Sequence, residues 1–303
     1  MKLRSLFWAI LMALIPPGLA MPQVIDYLKT LGVTAIELLQ TYLLVHDDWM
    51  DQDALRRGAP TAHTTLSRTF ASERLGAASA VLAGDYASAL AHRALVSDDL
   101  PAAGILRAVR VFAEMHEKVV LGQGMDVLSS VASSVRAPVP VETVHAYKTA
   151  TYTVAGPLAM GVALAQGDER DLERVHHVGM LAGIAFQLQD DILGTFGDPS
   201  ITGKDVLSDL RQGKRTSLLF ELGQGPNAPT DLLARIYEMN GTTEGDLATV
   251  RDLLETSGAK ERVLARIQVL VKDAWTHASM LPWSTEPMSA LKQALVALTE
   301  RGR

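Results

Sequence analysis

Residues 38–60 read LLQTYLLVHDDWMDQDALRRGAP, and this stretch decides the fold. An apolar run ends abruptly in acids that are spaced for a helix. Asp47 and Asp51 stand four positions apart, so on a helix their carboxylates share one face, with Asp48 beside them. Like charges at that spacing repel, and acids at a helix C-terminus oppose the macrodipole. Both costs are offset if a hard cation sits between the carboxylates. Oxygen ligands without thiols or a histidine cage suit Mg2+. Arg56 and Arg57 follow within ten residues of the acids and offer planar donors for phosphate oxygens. Acids, a divalent cation and adjacent arginines together describe a site for a metal-chelated polyphosphate.

Upstream of the acids the period is helical. Val24, Leu28, Leu31, Ile36, Leu39, Leu43 and Val45 recur at three-to-four spacing over residues 23–50, which is one helix face. The same reading predicts long helices over 73–96, 102–133 and 169–197, and further ones over 215–223, 229–239, 243–256, 258–279 and 285–301. Thr242-Thr243-Glu244-Gly245-Asp246 and Ser284-Thr285-Glu286 carry helix-start chemistry. Pro and Gly clusters such as Pro138-Val139-Pro140 and Gly197-Asp198-Pro199 fall between elements. Gly156-Pro157 falls inside a helical stretch, so a kink or break is expected after Lys148-Thr149. No run alternates like a strand, and no composition shift marks a boundary. The expectation is one all-α domain over residues 1–303, with about ten helices around a common core.

Composition narrows the function. The chain has no cysteine, which removes disulfide scaffolds and cysteine-ligated metal centres. Acids outnumber bases 34 to 28, against a bulk-basic nucleic-acid binder. With 48% apolar residues the 303-residue chain can bury a large core. Met1 to Ala20 reads locally like a signal peptide, with Lys2 and Arg4 as its charged start and Leu6 to Ile15 as its apolar run. The other reading is a buried core helix, and the apolar run is about half what a membrane span needs.

A second acidic helix is expected in Phe186-Gln187-Leu188-Gln189-Asp190-Asp191-Ile192-Leu193-Gly194. It too is followed by basic residues, in Thr202-Gly203-Lys204 and Gly213-Lys214-Arg215-Thr216, with Asp198, Asp205 and Asp209 among them. Two such helices facing one another would form one cavity, with acids on opposing walls and cations at its rim.

The residues now on the page resemble the trans-isoprenyl diphosphate synthases, the polyprenyl synthetase family. LLQTYLLVHDDWMDQDALRRGAPTAH is similar to its first aspartate-rich region and FQLQDDILGTFGD…TGKDVLSDLRQGKRT to its second. The resemblance implies an isoprenoid-synthase helical bundle and head-to-tail transfer between allylic prenyl diphosphates and isopentenyl diphosphate. It implies that Asp47, Asp48, Asp51, Asp190 and Asp191 belong to the sites of Mg2+, three ions with substrate bound. Arg56 matches the arginine on the allylic diphosphate, and Arg57, Gln40 and Arg4 match positions on isopentenyl diphosphate. Lys148 and Thr149 match a YKT motif near the allylic diphosphate and the carbocation. Gln187, Lys204 and Lys214 match positions lining the diphosphate site, and Gln123 and Asp126 a cavity-facing GQxxD pair. The family habit also implies a cytoplasmic homodimer without stable membrane insertion. Aligned this way, residues 6–15 read as a core helix rather than a leader.

Two departures stand out. Gly194 replaces the third Asp of the second motif, so Asp190 is expected to suffice. Met1-Lys2-Leu3-Arg4-Ser5 aligns with the family's GGKRxRP motif but lacks its glycines and lysine, so the helix before it and part of the isopentenyl site are expected to be missing.

Product length should depend on what blocks the cavity below Asp47. Tyr42 and Leu43 lie five and four residues before it and can point along the wall. One aromatic, with no insertion between Asp48 and Asp51, resembles the family's geranylgeranyl pattern more than its farnesyl pattern. Geranylgeranyl diphosphate is therefore the expected product and farnesyl diphosphate the alternative; Tyr42 as a mere core aromatic is the plainer reading. A class I terpene cyclase, a phosphohydrolase built on His46-Asp47 and a non-catalytic partner subunit are the rival readings.

Overall fold

The computed structural model describes residues 22–56, 58–96, 101–131, 139–198, 207–225, 227–238 and 242–300. Arg4, Arg57, Lys204 and the apolar run at 6–15 lie outside the described residues. The architecture is all-α, as expected. Helix α1 (Pro22–Met50) leads into a minimal hairpin, β1 (Leu55–Arg56) and β2 (Ala59–Pro60), then α2 (Ala62–Phe70), α3 (Glu73–Leu95) and α4 (Ala102–Val131). A short turn, α5 (Val141–Val144), runs into a π-helical segment (His145–Ala155) and then α6 (Gly156–Leu164). Helix α7 (Glu169–Phe196) carries the second acids. It is followed by α8 (Ser208–Arg211), α9 (Ser217–Gly223), α10 (Thr230–Tyr237), α11 (Glu244–Thr256), α12 (Ala259–Ala278) and α13 (Thr285–Glu300).

Side-chain chemistry sets several helix starts. Asp168 accepts the Asp171 N–H at the start of α7 at 2.7 Å, and Thr243 and Asp246 form a reciprocal capping box for α11. The hairpin is a departure from the purely helical expectation. Gly58, at φ 79°, supplies the left-handed turn between its two strands. The irregularity expected as a kink or break after Lys148-Thr149 is a π-helical segment over His145–Ala155. Proline lacks an N–H and its ring crowds the preceding turn. Here the chain widens into π turns instead of breaking, and the Gly156 N–H reaches back to the Thr151 carbonyl.

Every residue of α6 is buried, so α6 serves as the central post. On one side Met160 packs with Leu39 of α1, Ala91 of α3 and Phe112 of α4. On the other, Leu158 packs with Val178 of α7, Ala274 of α12 and Leu291 of α13. A third cluster lies between α7 and α9 to α12, around Leu188, Leu219, Ile236 and Leu254. The π segment is wedged between α4 and α7. A Cβ on Gly122 of α4 would sit 2.2 Å from the Lys148 backbone nitrogen, and one on Gly183 of α7 would sit 2.5 Å from the Ala150 Cα. Neither position tolerates a side chain without moving backbone.

Gly122→Ala is expected to overpack this seam and cost about 1–3 kcal/mol. Gly124→Ala, on the same helix with nothing within 4 Å of the added Cβ, should instead stabilise by up to about 1 kcal/mol through helix propensity. Urea unfolding of both variants checks the pair. Equal stability would refute the close crossing.

Candidate active site

Helix α1 delivers its acids at its C-terminal end. The turn continues past the helix, with the Asp51 N–H on the Asp47 carbonyl at 2.8 Å and the Asp53 N–H on the Asp48 carbonyl at 2.9 Å. The hairpin then folds Arg56 back over the acids. Arg56 Nε donates to Asp48 Oδ1 at 2.5 Å, and its terminal nitrogen lies 3.5 Å from Asp47 Oδ2. The two acids differ in surroundings. Asp48 is buried, and desolvation lifts its carboxyl above the ordinary range despite Arg56. Burial also pushes Asp47 up, yet Lys148, Lys214 and Arg56 together hold it below the ordinary value.

Opposite α1 stand the π segment and α4. Lys148 Nζ donates to Asp47 Oδ1 at 3.1 Å and to Asp126 Oδ2 at 2.5 Å. Burial works against its ammonium, but Asp47 and Asp126 win and raise its pKa. Gln123 donates to the same Asp47 oxygen at 3.1 Å, so Gln123 meets the first acids directly and Asp126 through Lys148.

The C-terminal half closes the third side. Lys214 Nζ donates to Asp51 Oδ2 at 2.6 Å and lies 4.0 Å from Asp209 Oδ1. Gln212 donates to Asp53 at 2.8 Å. Burial leaves the Asp51 carboxyl above its ordinary value even beside Lys214. The second acidic helix joins through Thr149, whose hydroxyl donates to Gln187 Oε1 at 2.8 Å. Asp190 is half-buried on α7, whereas Asp191 is buried with its oxygens on Gln187 and the Ser217 N–H. At Gly194 a Cβ would lie 2.9 Å from Asp209 Oδ2, so the carboxylate of Asp209 approaches where the third acid of the motif would have begun.

Below Asp47 lies a cavity of about 310 Å3 between α1, α4 and the π segment. Tyr42, Leu43, Val119 and Tyr152 line it, and Lys148 and Asp47 stand at its polar end. Tyr42 packs edge-on against His116, ring centroids 5.2 Å apart, and against His46 at 4.7 Å. Gln40 is half-buried on α1 but does not line this cavity.

Most of the residues singled out in the sequence thus converge. Arg56, Lys148 and Lys214 reach the first acids, and Thr149 meets Gln187. His46 has one ring nitrogen, Nε2, 2.9 Å from the Val81 carbonyl of α3 and its ring against Tyr42, so that nitrogen is engaged away from Asp47. Gln212, His116 and Ser217 were not singled out; each matters only through a contact distant in sequence, which no local pattern signals. Among the described residues, no three histidines or acids converge as a ready-made metal cage. The acids are held instead by cations. As a donor set they nevertheless fit a hard divalent ion, being carboxylates whose oxygens are its preferred ligands.

Residues 5–254 match the family model described as polyprenyl synthetase. The chain is 33% identical over 254 residues to the geranylfarnesyl diphosphate synthase of Aeropyrum pernix, covering 82% of this chain and 74% of that protein. It is 34% identical over 233 residues to the (2E,6E)-farnesyl diphosphate synthase of Mycobacterium bovis, covering 76% of this chain but 61% of that relative. Among solved structures, the geranylgeranyl pyrophosphate synthase of Corynebacterium glutamicum, complexed with isoprenyl diphosphate and magnesium, superposes with a TM-score of 0.85 at 31% identity, covering 99% of this chain and 86% of that one. With the family model spanning most of the chain, and acids, cations and apolar cavity in one place, this chain belongs to the polyprenyl synthetase family.

Proposed function

We propose that the chain is a Mg2+-dependent short-chain trans-prenyltransferase that condenses isopentenyl diphosphate with an allylic diphosphate. The observation that carries this reading is the polar mouth on an apolar cavity: Asp47, bound by Lys148, Gln123 and Arg56, opens onto a pocket walled by Tyr42, Leu43 and Val119. Mg2+, held by Asp47, Asp51 and Asp190 with Asp48 and Asp191 nearby, would neutralise the departing diphosphate as a Lewis acid. The chain's own residues do the rest. Arg56, Lys148 and Lys214 place positive charge where the allylic C–O bond would break, and Lys204 is assigned to the same diphosphate. Gln40, Arg57 and Arg4 are assigned to isopentenyl diphosphate. Its alkene attacks the allylic cation, a new C–C bond forms, and the proton lost goes to the departed diphosphate. The apolar wall keeps water from the cation.

We assign the product as geranylgeranyl diphosphate, with Tyr42 and Leu43 closing the wall below the acids. His116 packs behind Tyr42 and stiffens that stop. Among the described residues, no helix is long and apolar enough to cross a membrane, and a cytoplasmic homodimer is proposed. Leu82 and Tyr86 of α3, 67% and 66% exposed, and Leu106 and Leu128 of α4, 55% and 60% exposed, are large apolar side chains that a second copy would cover.

Incubation with isopentenyl diphosphate and an allylic primer should yield longer prenyl diphosphates, and EDTA should abolish the yield. A hydrocarbon product from one substrate, or phosphate release alone, would instead favour a cyclase or a phosphohydrolase. Asp47→Ala should lower turnover by about a thousandfold or more with an unchanged unfolding curve, because Lys148 keeps Asp126 as partner. Wild-type turnover in that variant would sink the site. Tyr42→Ala should lengthen the product by at least one isoprene unit on chromatography, and an unchanged product would refute the proposed stop. Light scattering should give twice the chain mass.

A further inference from the structure

The loop between α8 and α9 faces two ways. Gln212 and Lys214 point forward, onto Asp53 at 2.8 Å and Asp51 at 2.6 Å. Arg215 points back. Its Nε donates to the Ser129 carbonyl at 2.9 Å, and its guanidinium carbon lies 4.1 Å from the centroid of the Tyr237 ring. Ser129 stands in the last turn of α4, which ends at Val131, and carbonyls there lack an intrahelical partner. Tyr237 closes α10 and is 6% exposed. Burial pushes its phenol up to about 12, so the ring beside Arg215 is neutral and attracts the cation by its face.

A guanidinium suits this place because it donates in its plane and stacks by its face. An ammonium is a point charge and cannot do both from one position. The loop's other ties stay within the C-terminal half. The Gly213 and Lys214 N–H groups return to the Leu210 and Asp209 carbonyls of α8, and Thr216 caps α9. Arg215 carries the loop across to α4, the helix of Gln123 and Asp126. Before Lys214 stands Gly213, at φ 66°, which has no side chain to grip a neighbour. After it stands Arg215, gripped on two sides. Lys214 has a long flexible stem, so where its ammonium sits depends on how firmly the backbone beneath it is held.

We propose that Arg215 is a positioning residue for prenyl transfer: clamped between the end of α4 and the Tyr237 ring, it holds the 212–216 loop so that Lys214 stays over the first acids. This rests on the prenyl-transfer reading above, which places the allylic diphosphate beside Lys214. Arg215 itself touches neither the acids nor the cavity wall. It acts through its neighbour, by keeping one cation in place before the diphosphate departs.

The test is a double-mutant cycle on the full-length protein with Arg215→Gln, Lys214→Ala and both together, read as kcat/KM for the allylic diphosphate and KM for isopentenyl diphosphate. Arg215→Gln should lower the first by about 10- to 100-fold, leave the second within about twofold, and add nothing to the loss caused by Lys214→Ala. Tyr237→Phe keeps the ring face and should match the wild type, whereas Tyr237→Leu removes it and should share the loss. Losses that multiply, equal losses toward both diphosphates, or wild-type kcat/KM in Tyr237→Leu would overturn the proposal. If Arg215→Gln does not fold, Arg215→Lys takes its place in the cycle, with the same non-additivity expected and multiplying losses again refuting the clamp. A wild-type chain that forms no new prenyl diphosphate would instead overturn the underlying functional reading.

Discussion

The contact on which the site depends is the enclosure of Asp47. Its carboxylate meets Lys148 at 3.1 Å, Gln123 at 3.1 Å and Arg56 at 3.5 Å. Those partners come from the π segment, α4 and the hairpin, so one charge ties four elements together. Burial alone would favour the protonated acid, yet the surrounding cations keep it ionised. Removing one member of a buried pair strands the other, at about 3–5 kcal/mol. Lys148 avoids that fate because Asp126 holds it as well. The second partner separates the role of Asp47 in the site from the stability of the fold.

The same ion pairs explain how an apolar cavity can coexist with so much charge at its mouth. Asp47 pairs with Lys148, Asp48 with Arg56 and Asp51 with Lys214. Each acid has its counter-charge within the protein. A metal–diphosphate brings both signs at once, so acids can turn to the metal and cations to the phosphate without leaving a bare charge beside the apolar wall. Asp48 is the buried member, while the Asp47–Lys148 and Asp51–Lys214 pairs keep some contact with solvent, so the latter two exchange more readily. A deeply buried pair would resist it.

Local patterns carried much of this. The four-residue spacing of Asp47 and Asp51, and the apolar run before them, are enough to read a helix ending in an acidic face. The long helices 73–96 and 169–197 were legible from periodicity, and α3 and α7 lie within a residue or two of those limits. What periodicity could not supply was geometry set by distant backbone. Pro157 signals interruption, but not that the chain widens into π turns whose backbone passes Gly122 and Gly183 too closely for a Cβ. Asp190 and Asp191 look alike in sequence, and only the position of Ser217 and His145 separates them. His46 beside Asp47 suggested a second chemistry until the Val81 carbonyl claimed its ring.

The π segment is therefore more than a tolerated irregularity. Neighbouring side chains on a helix diverge by roughly a quarter of a turn or slightly more, so Lys148 and Thr149 point to different walls. Lys148 reaches the first acidic helix and Thr149 reaches the second through Gln187. One wedge thus connects the first acidic helix, through Lys148, to the second, through Thr149. Both depend on how near the segment's backbone comes to α4 and α7. At both crossings the neighbouring helix has glycine, so the closeness that excludes side chains is also what lets two consecutive residues reach both acidic helices.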